Sequence, residues 1–175
     1  MTLPIAIVAG EPNSISSEII FKSWLLIKKI THKPIVVIGN FRLLNLQKNK
    51  MKFNVHIKKI DKNFKNKDLY GKEIPIYDVN YNQKKIFQKI SRTSNSYIFE
   101  CFDVATKLVK NKKIIGFINC PIHKETLLNK KYKGITEFLS KKCGAKNNEV
   151  MLIYNKQLAV SPLTTHIRIS EVSGK

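Results

Sequence analysis

The sequence predicts an α/β protein, a three-layer doubly wound mixed sheet, and two observations carry that prediction. Short apolar runs of strand length alternate with segments whose apolar residues recur at helical spacing, the rhythm of right-handed crossovers on a largely parallel sheet. Several of these runs stop abruptly at polar, Gly or Pro residues, the place where open α/β sheets put their ligands. A length of 175 residues suits one domain with a proper core and is short for two.

Taken in order, Pro4 to Ala9 reads as a first buried strand ending in the turn Gly10-Glu11-Pro12. Ser16 or Ser17 can cap the helix that follows, with Glu18 favourable in its first turn. Ile20, Trp24 and Ile27 share one helix face, widened by Ile19, Leu26 and Ile30, and His32-Lys33-Pro34 closes it. Ile35 to Ile38 forms a second strand, Phe41 to Leu46 a short helix and Phe53 to Ile60 a further strand. Residues 61 to 93 are polar and Lys-rich, with a short strand at Ile74 to Tyr77 and an excursion from Tyr81 to Arg92. Ser94-Asn95-Ser96 then caps a helix marked by Ile98, Phe102, Ala105 and Val109, whose end at Lys110 to Lys113 suits the helix dipole. Ile114 to Ile118 is the clearest central strand. The Pro121 loop, a helix from His123 to Leu128 and another from Thr136 to Cys143, ended by Gly144, come next. Glu149 to Tyr154 and Gln157 to Val160 predict a hairpin around Asn155-Lys156.

Composition narrows the function. Hydrophobic residues at 43% are ordinary for a folded globular chain, and no apolar run approaches a membrane span. Met1-Thr2-Leu3-Pro4 leads directly into a strand with no signal-peptide pattern. Three cysteines without paired spacing suit a reducing compartment, so a cytoplasmic location is expected. The net charge of +20 invites a nucleic-acid reading. Its lysines, however, fall in scattered pairs (Lys28-Lys29, Lys58-Lys59, Lys84-Lys85, Lys112-Lys113) and not in one stripe. With abundant Ile and Asn and little Arg, they fit a compositional bias that still steers anionic substrates inward.

Among single residues, His166 follows Thr164-Thr165 at a predicted strand end, where a neutral imidazole can ligate a metal or merely hydrogen-bond. Thr136 suits a helix N-cap, helped by Glu137. His123 and Lys124 open a helix after Pro121, a start whose free N–H groups and lysine favour a phosphate or carboxylate, or simply meet solvent. Cys120 has only His123 as a conceivable activator and reads as structural. Asn13-Ser14-Ile15-Ser16-Ser17 after the first turn is no dinucleotide fingerprint. His32 and His56 read as surface positions.

Four segments, taken together, resemble a known family. Ile5-Ala6-Ile7-Val8-Ala9-Gly10-Glu11-Pro12, Asn119-Cys120-Pro121-Ile122-His123-Lys124, Gly134-Ile135-Thr136-Glu137-Phe138-Leu139 and Leu163-Thr164-Thr165-His166-Ile167 match, in order, motifs of the 4-hydroxythreonine-4-phosphate dehydrogenase family of vitamin B6 synthesis. The resemblance implies a fold like that of isocitrate and isopropylmalate dehydrogenases. It implies NAD(P)⁺-dependent oxidation and decarboxylation of 4-phosphooxy-L-threonine to 3-amino-2-oxopropyl phosphate, a divalent metal (zinc, magnesium or cobalt) and a homodimer. By the same resemblance His166 is one of three metal-binding histidines, the others falling beyond Lys175, and Lys124, Ile135 and Thr136 occupy substrate-binding positions. Two departures stand out: Ile135 replaces a histidine, and Asn119-Cys120 replace the family's Thr-Gly. Because family members are about twice as long, residues 1–175 correspond to an N-terminal portion, truncated and expected to be inactive alone. A dehydrogenase of a related phosphorylated hydroxy acid (a threonate phosphate), a degenerate binding module and a basic nucleic-acid-binding domain are the alternatives.

Overall fold

The computed structural model describes residues 2–27, 30–129, 132, 134–145, 149–164 and 167–174. In place of the single domain expected from length, the chain divides into two compact units, Met1–Asn129 and Lys130–Lys175.

The first unit is built on β1 (Ile5–Val8), α1 (Ser16–Ile27), β2 (Ile35–Gly39), α2 (Phe41–Lys50), β3 (Ile57–Ile60), β4 (Ile74–Asp78), α3 (Asn95–Lys110), β5 (Gly116–Asn119) and α4 (Lys124–Leu128). Its five strands run in the order β3-β4-β2-β1-β5, and every pairing is parallel, with Ile5 opposite both Ile35 and Gly116. The second unit holds α5 (Ile135–Cys143) and the antiparallel pair β6 (Ile153–Tyr154) and β7 (Ala159–Val160). The predicted mixture of strand directions is therefore partitioned: a wholly parallel sheet in one unit and a hairpin in the other.

Strand alternation assigns each face of the sheet its layer. Ile7, Ile35, Val37, Ile74 and Ile76 pack with Ile20, Phe21 and Trp24 of α1 and Leu44 of α2. Ala6, Val8, Val36 and Ile38 point the other way, toward α3, whose Ile98, Cys101, Phe102 and Ala105 are fully buried. All five residues of β2 are buried, as a strand covered on both faces requires. Phe21, fully buried and 5.4 Å from the Phe53 ring, anchors the α1–α2 side; truncating it to alanine is expected to cost about 3–5 kcal/mol, read from urea denaturation.

Several predicted boundaries shift for identifiable reasons. The helix expected from Phe41 starts there because Asn40 caps it, its Oδ1 accepting from Leu43 N (2.9 Å) while its Nδ2 donates to Val79 O (2.9 Å), and it runs on to Lys50, with Lys48 and Lys50 favourable in its last turn. Ser16 and Ser17 lie inside α1, and the hydroxyl of Ser14 accepts from Ser16 N instead (3.3 Å). Phe53 belongs to the core and not to a strand, so β3 starts only at Ile57. The apolar run at Ile114 to Ile118, read as central, is an edge strand of the sheet, and Ile118 is 60% exposed.

The polar stretch from 79 to 93 is held by side chains donating to carbonyls. Gln47 Nε2 donates to Pro12 O (2.7 Å) and Ile86 O (3.1 Å), and Gln83 Nε2 to Lys85 O (2.8 Å) and to Asn13 Oδ1 (2.9 Å). In the second unit, the hairpin turns at Asn155, whose Oδ1 accepts from Gln157 N and Leu158 N. The hairpin is shorter than predicted, and its residues from Met151 to Val160 are exposed.

Candidate functional site

At the carboxyl ends of β1 and β5 two turns are locked together. Gly10 sits at φ +69°, and a Cβ there would lie 2.4 Å from Pro121 O and 2.9 Å from Cys120 O. Only glycine fits both the left-handed backbone and this close approach. The next residue continues the lock: Glu11 N donates to Pro121 O (2.9 Å), and Ser16 Oγ donates to the same oxygen (3.1 Å). Ser14 Oγ closes the turn by donating to Glu11 O (2.9 Å).

Glu11 is fully buried. A buried carboxylate persists only when its oxygens are satisfied, and here they are. Oε1 accepts from Asn13 N (3.0 Å), and Oε2 accepts from Ser94 Oγ (2.9 Å). The Ser94 expected to cap α3 therefore gives its hydroxyl to Glu11 and makes no side-chain cap bond. This pairing ties the start of α3 to the end of β1. Beside it, Tyr81 stacks on Tyr97 with ring centroids 4.6 Å apart. Burial, and after it the Glu11 carboxylate, raise the Tyr81 phenol above its ordinary value. Burial raises the Tyr97 phenol well above the usual range, and its oxygen accepts from Asn40 N (2.9 Å). Glu11, Ser94, Asn40, Tyr81 and Tyr97 cluster at the carboxyl end of the sheet; of them, sequence reasoning singled out Glu11 in its turn and Ser94 as a helix cap, and not the contact between the two.

The predicted residues of the Pro121 loop follow β5. His123 is the N-cap of α4, its Nδ1 accepting from Thr126 N (3.3 Å), so the helix starts one residue later than expected. Lys124 is exposed at the first helical position. The backbone at Cys120 does not take a positive φ, so the loop tolerates a side chain where the family pattern has glycine. Cys120 is buried, and desolvation pushes its thiol up to about 11. Cys101 is likewise buried and pushed up to about 12, while Cys143 is exposed. Since the thiolate is the reactive form, one thiol is expected to react rapidly with a disulfide reagent at pH 8 in the native protein, and all three in denaturant. Two fast thiols in the native state would contradict the structural reading of Cys120.

In the second unit, Gly134 occupies the N-cap position of α5, and Ile135 and Thr136 are its first two helical residues. Thr136 is thus not the cap that its residue type suggested. Both side chains are half-buried, and Phe138 anchors the helix with its ring 5.5 Å from that of Tyr132. Ser140 donates to Glu149, lowering that carboxyl below its ordinary value. Thr164 is half-buried and Leu163 exposed; Thr165 and His166, the predicted ligand, lie outside the described residues.

Among the described residues no three His, Cys, Asp or Glu side chains converge as a metal set, and no glycine-rich phosphate loop follows β1. A cavity of about 710 Å³ lies at the amino end of the strands, lined by Leu3, Phe64, Tyr70, Lys65, Lys67, Lys112 and Lys113 among others, and none of the predicted site residues borders it. No helix of the described residues is long and apolar enough to cross a membrane.

A parallel sheet wound on both faces, with a braced turn at the carboxyl ends of adjacent strands, defines a doubly wound α/β protein. Comparison with known proteins gives its family. Residues 31–175 match the family described as pyridoxal phosphate biosynthetic protein PdxA, and the chain belongs to that family. A 4-hydroxythreonine-4-phosphate dehydrogenase of Campylobacter fetus is 30% identical over 100% of this chain and 52% of its own length. One of Sulfurihydrogenibium is 28% identical over 98% of this chain and 52% of its own. A crystal structure of the dehydrogenase from Burkholderia phymatum superposes with a TM-score of 0.81, at 24% identity, over 98% of this chain and 52% of that one. The fold is thus the isocitrate dehydrogenase-like fold expected, and the chain spans about half the length of the curated relatives it matches.

Proposed function

We propose that this chain supplies the N-terminal portion of a dehydrogenase that oxidises and decarboxylates 4-phosphooxy-L-threonine with NAD or NADP and a divalent metal, and that it is inactive without the remaining half. The observation that carries this reading is the family match through the Pro121 loop, joined to two turns at the carboxyl ends of β1 and β5 that are braced by Gly10, Glu11 and Ser94. Rigid support of this kind is what substrate positioning needs.

The chain's own residues take the following proposed parts. Lys124, exposed beside the Pro121 turn, draws in the substrate phosphate or carboxylate, helped by the +20 charge of the chain. Thr136 contacts substrate, and Ile135, where the family pattern has histidine, offers only an apolar surface, which weakens that contact. His166 is proposed as one metal ligand. A single imidazole does not make a competent site, so its partners would come from the part of the relatives that this chain does not span. A homodimer is proposed as the working state, supported by the exposed apolar hairpin residues Leu152, Ile153, Tyr154 and Leu158, an apolar concentration typical of interfaces. The compartment proposed is the cytoplasm.

The test is an assay of NAD(P)⁺ reduction with 4-phosphooxy-L-threonine and added zinc, magnesium or cobalt. No turnover is expected from the chain alone, and measurable turnover once it is mixed with the C-terminal half of the Campylobacter fetus relative. Lys124→Ala should then raise KM about tenfold with little change in kcat, as loss of a ground-state phosphate contact does. A well-formed mixed complex without turnover would overturn the proposal.

A further inference from the structure

The cavity at the amino ends of the strands has no part in the dehydrogenase reading. Its volume, about 710 Å³, lies within the range of sites for small organic ligands. Its lining is divided by chemistry. Leu3, Phe64 and Tyr70 supply apolar surface: Phe64 is buried, edge-on to the Tyr77 ring at 6.4 Å, and Tyr70 is 52% exposed. Lys65 and Lys67 from one segment, and Lys112 and Lys113 from another, stand exposed around them. Along the sequence these lysines are scattered, yet the fold gathers four of them beside one apolar concavity. None of the four has a carboxylate partner among the described residues. Asp68, next in sequence to Lys67, accepts from the Lys65 backbone N–H (2.8 Å) instead. The walls are held by hydrogen bonds. Asn66 Nδ2 donates to Thr2 O (3.1 Å) and Ile115 N to Pro4 O (2.9 Å), tying the chain around Leu3 to both lysine segments. Lys112 N donates to Val109 O and Lys113 N to Leu108 O (both 2.9 Å), and Lys112 is held at φ +54°, a left-handed backbone unfavourable for a lysine.

We propose that this cavity binds a small organic anion, a phosphate monoester with a flat apolar body, at a site separate from the Pro121 turn. Four unpaired ammonium groups around one opening repel one another, and a dianionic head relieves that repulsion while gaining attraction from each. The apolar lining adds affinity only for a ligand that brings apolar surface of its own, and the exposed Tyr70 ring offers a face on which a flat body can stack. Both halves of the lining therefore select one chemistry. 4-Phosphooxy-L-threonine is anionic but polar throughout and has nothing to place on Phe64 and Tyr70. The inference is independent of the dehydrogenase reading: the site is complete within residues 2–113 and needs neither the metal nor the second half.

The probe is phenyl phosphate, titrated into the full 175-residue chain by calorimetry and by amide NMR, beside inorganic phosphate. Phenyl phosphate is expected to bind at least about tenfold more tightly than inorganic phosphate. Amide shifts are expected at Leu3, Lys65 to Tyr70, Lys112 and Lys113, and not at Gly10 to Asn13 or Asn119 to Lys124. Lys67→Ala and Lys113→Ala should each weaken both ligands about fivefold or more, while Lys84→Ala, which removes the same charge from another loop, should change them less than about twofold. Tyr70→Ala should weaken phenyl phosphate alone, bringing it within about threefold of inorganic phosphate. Lys112→Gly should weaken binding while its urea midpoint holds or rises, because glycine accepts the left-handed backbone; a folding defect would lower the midpoint. The proposal is overturned if phenyl phosphate does not bind, if it binds no better than inorganic phosphate, or if its shifts are confined to the carboxyl ends of the strands. Tighter binding of a short single-stranded DNA, lost in the same lysine variants, would also overturn it by assigning the lysines to a polyanion.

Discussion

Replacing Gly10 by alanine is expected to destabilise the first unit by roughly 3 kcal/mol and to loosen the Pro121 loop. Two costs combine. A non-glycine residue held at φ +69° loses about 1–2 kcal/mol from the left-handed backbone. The new methyl would also sit 2.4 Å from Pro121 O and 2.9 Å from Cys120 O, and both are backbone atoms that no rotamer change can move aside. Overpacking against fixed atoms costs about 1–3 kcal/mol. Urea denaturation gives the total. Amide exchange at Glu11, whose N–H is bonded to Pro121 O, shows whether the loop has moved. A loss below about 1 kcal/mol with an unchanged Glu11 amide would mean that the two turns are not locked.

Glu11→Ala is expected to cost about 2–3 kcal/mol, because it strands the Asn13 amide and leaves the Ser94 hydroxyl with only its longer bond to Ser91 O (3.1 Å). Glu11→Gln should cost only about 1 kcal/mol, since the amide keeps an acceptor for Asn13 and the Ser94 hydroxyl can rotate to accept. The pair is best resolved as a double-mutant cycle. Adding Ser94→Ala to Glu11→Ala should cost much less than Ser94→Ala does in the parent protein, a coupling of about 1 kcal/mol or more. Additive losses would show that Ser94 and Glu11 act independently and that the link between β1 and α3 is incidental.

How far these features were legible in the sequence depended on whether their cause was local. The α/β alternation was, because apolar periodicity is written within a dozen residues, and α3 and β2 fell where it placed them. Gly10-Glu11-Pro12 and Pro121 also announced a turn and a loop by residue type. What brought them together did not, for Glu11 and Ser94 are 83 residues apart and nothing near Ser94 distinguishes a cap from a distant donor. The run at Ile114 to Ile118 looked central because apolar residues on both faces usually mean burial on both, but strand order is set by the whole sheet. The excursion from 79 to 93 escaped periodicity altogether, since Gln47 and Asn13 hold it through carbonyls and amides and not through apolar contacts. The family motifs gave His166, Lys124, Ile135 and Thr136 by position alone; geometry added that Gly134, and not Thr136, heads α5.

The most direct measurement is hydrogen–deuterium exchange of the chain, assembled with the C-terminal half of the Campylobacter fetus relative, with and without 4-phosphooxy-L-threonine. Slowed exchange on substrate addition is predicted in the segments holding Gly10 to Asn13 and Asn119 to Lys124, at the carboxyl ends of β1 and β5. Protection confined to Leu3 and to Lys65 through Tyr70, at the amino end of the strands, would contradict the account.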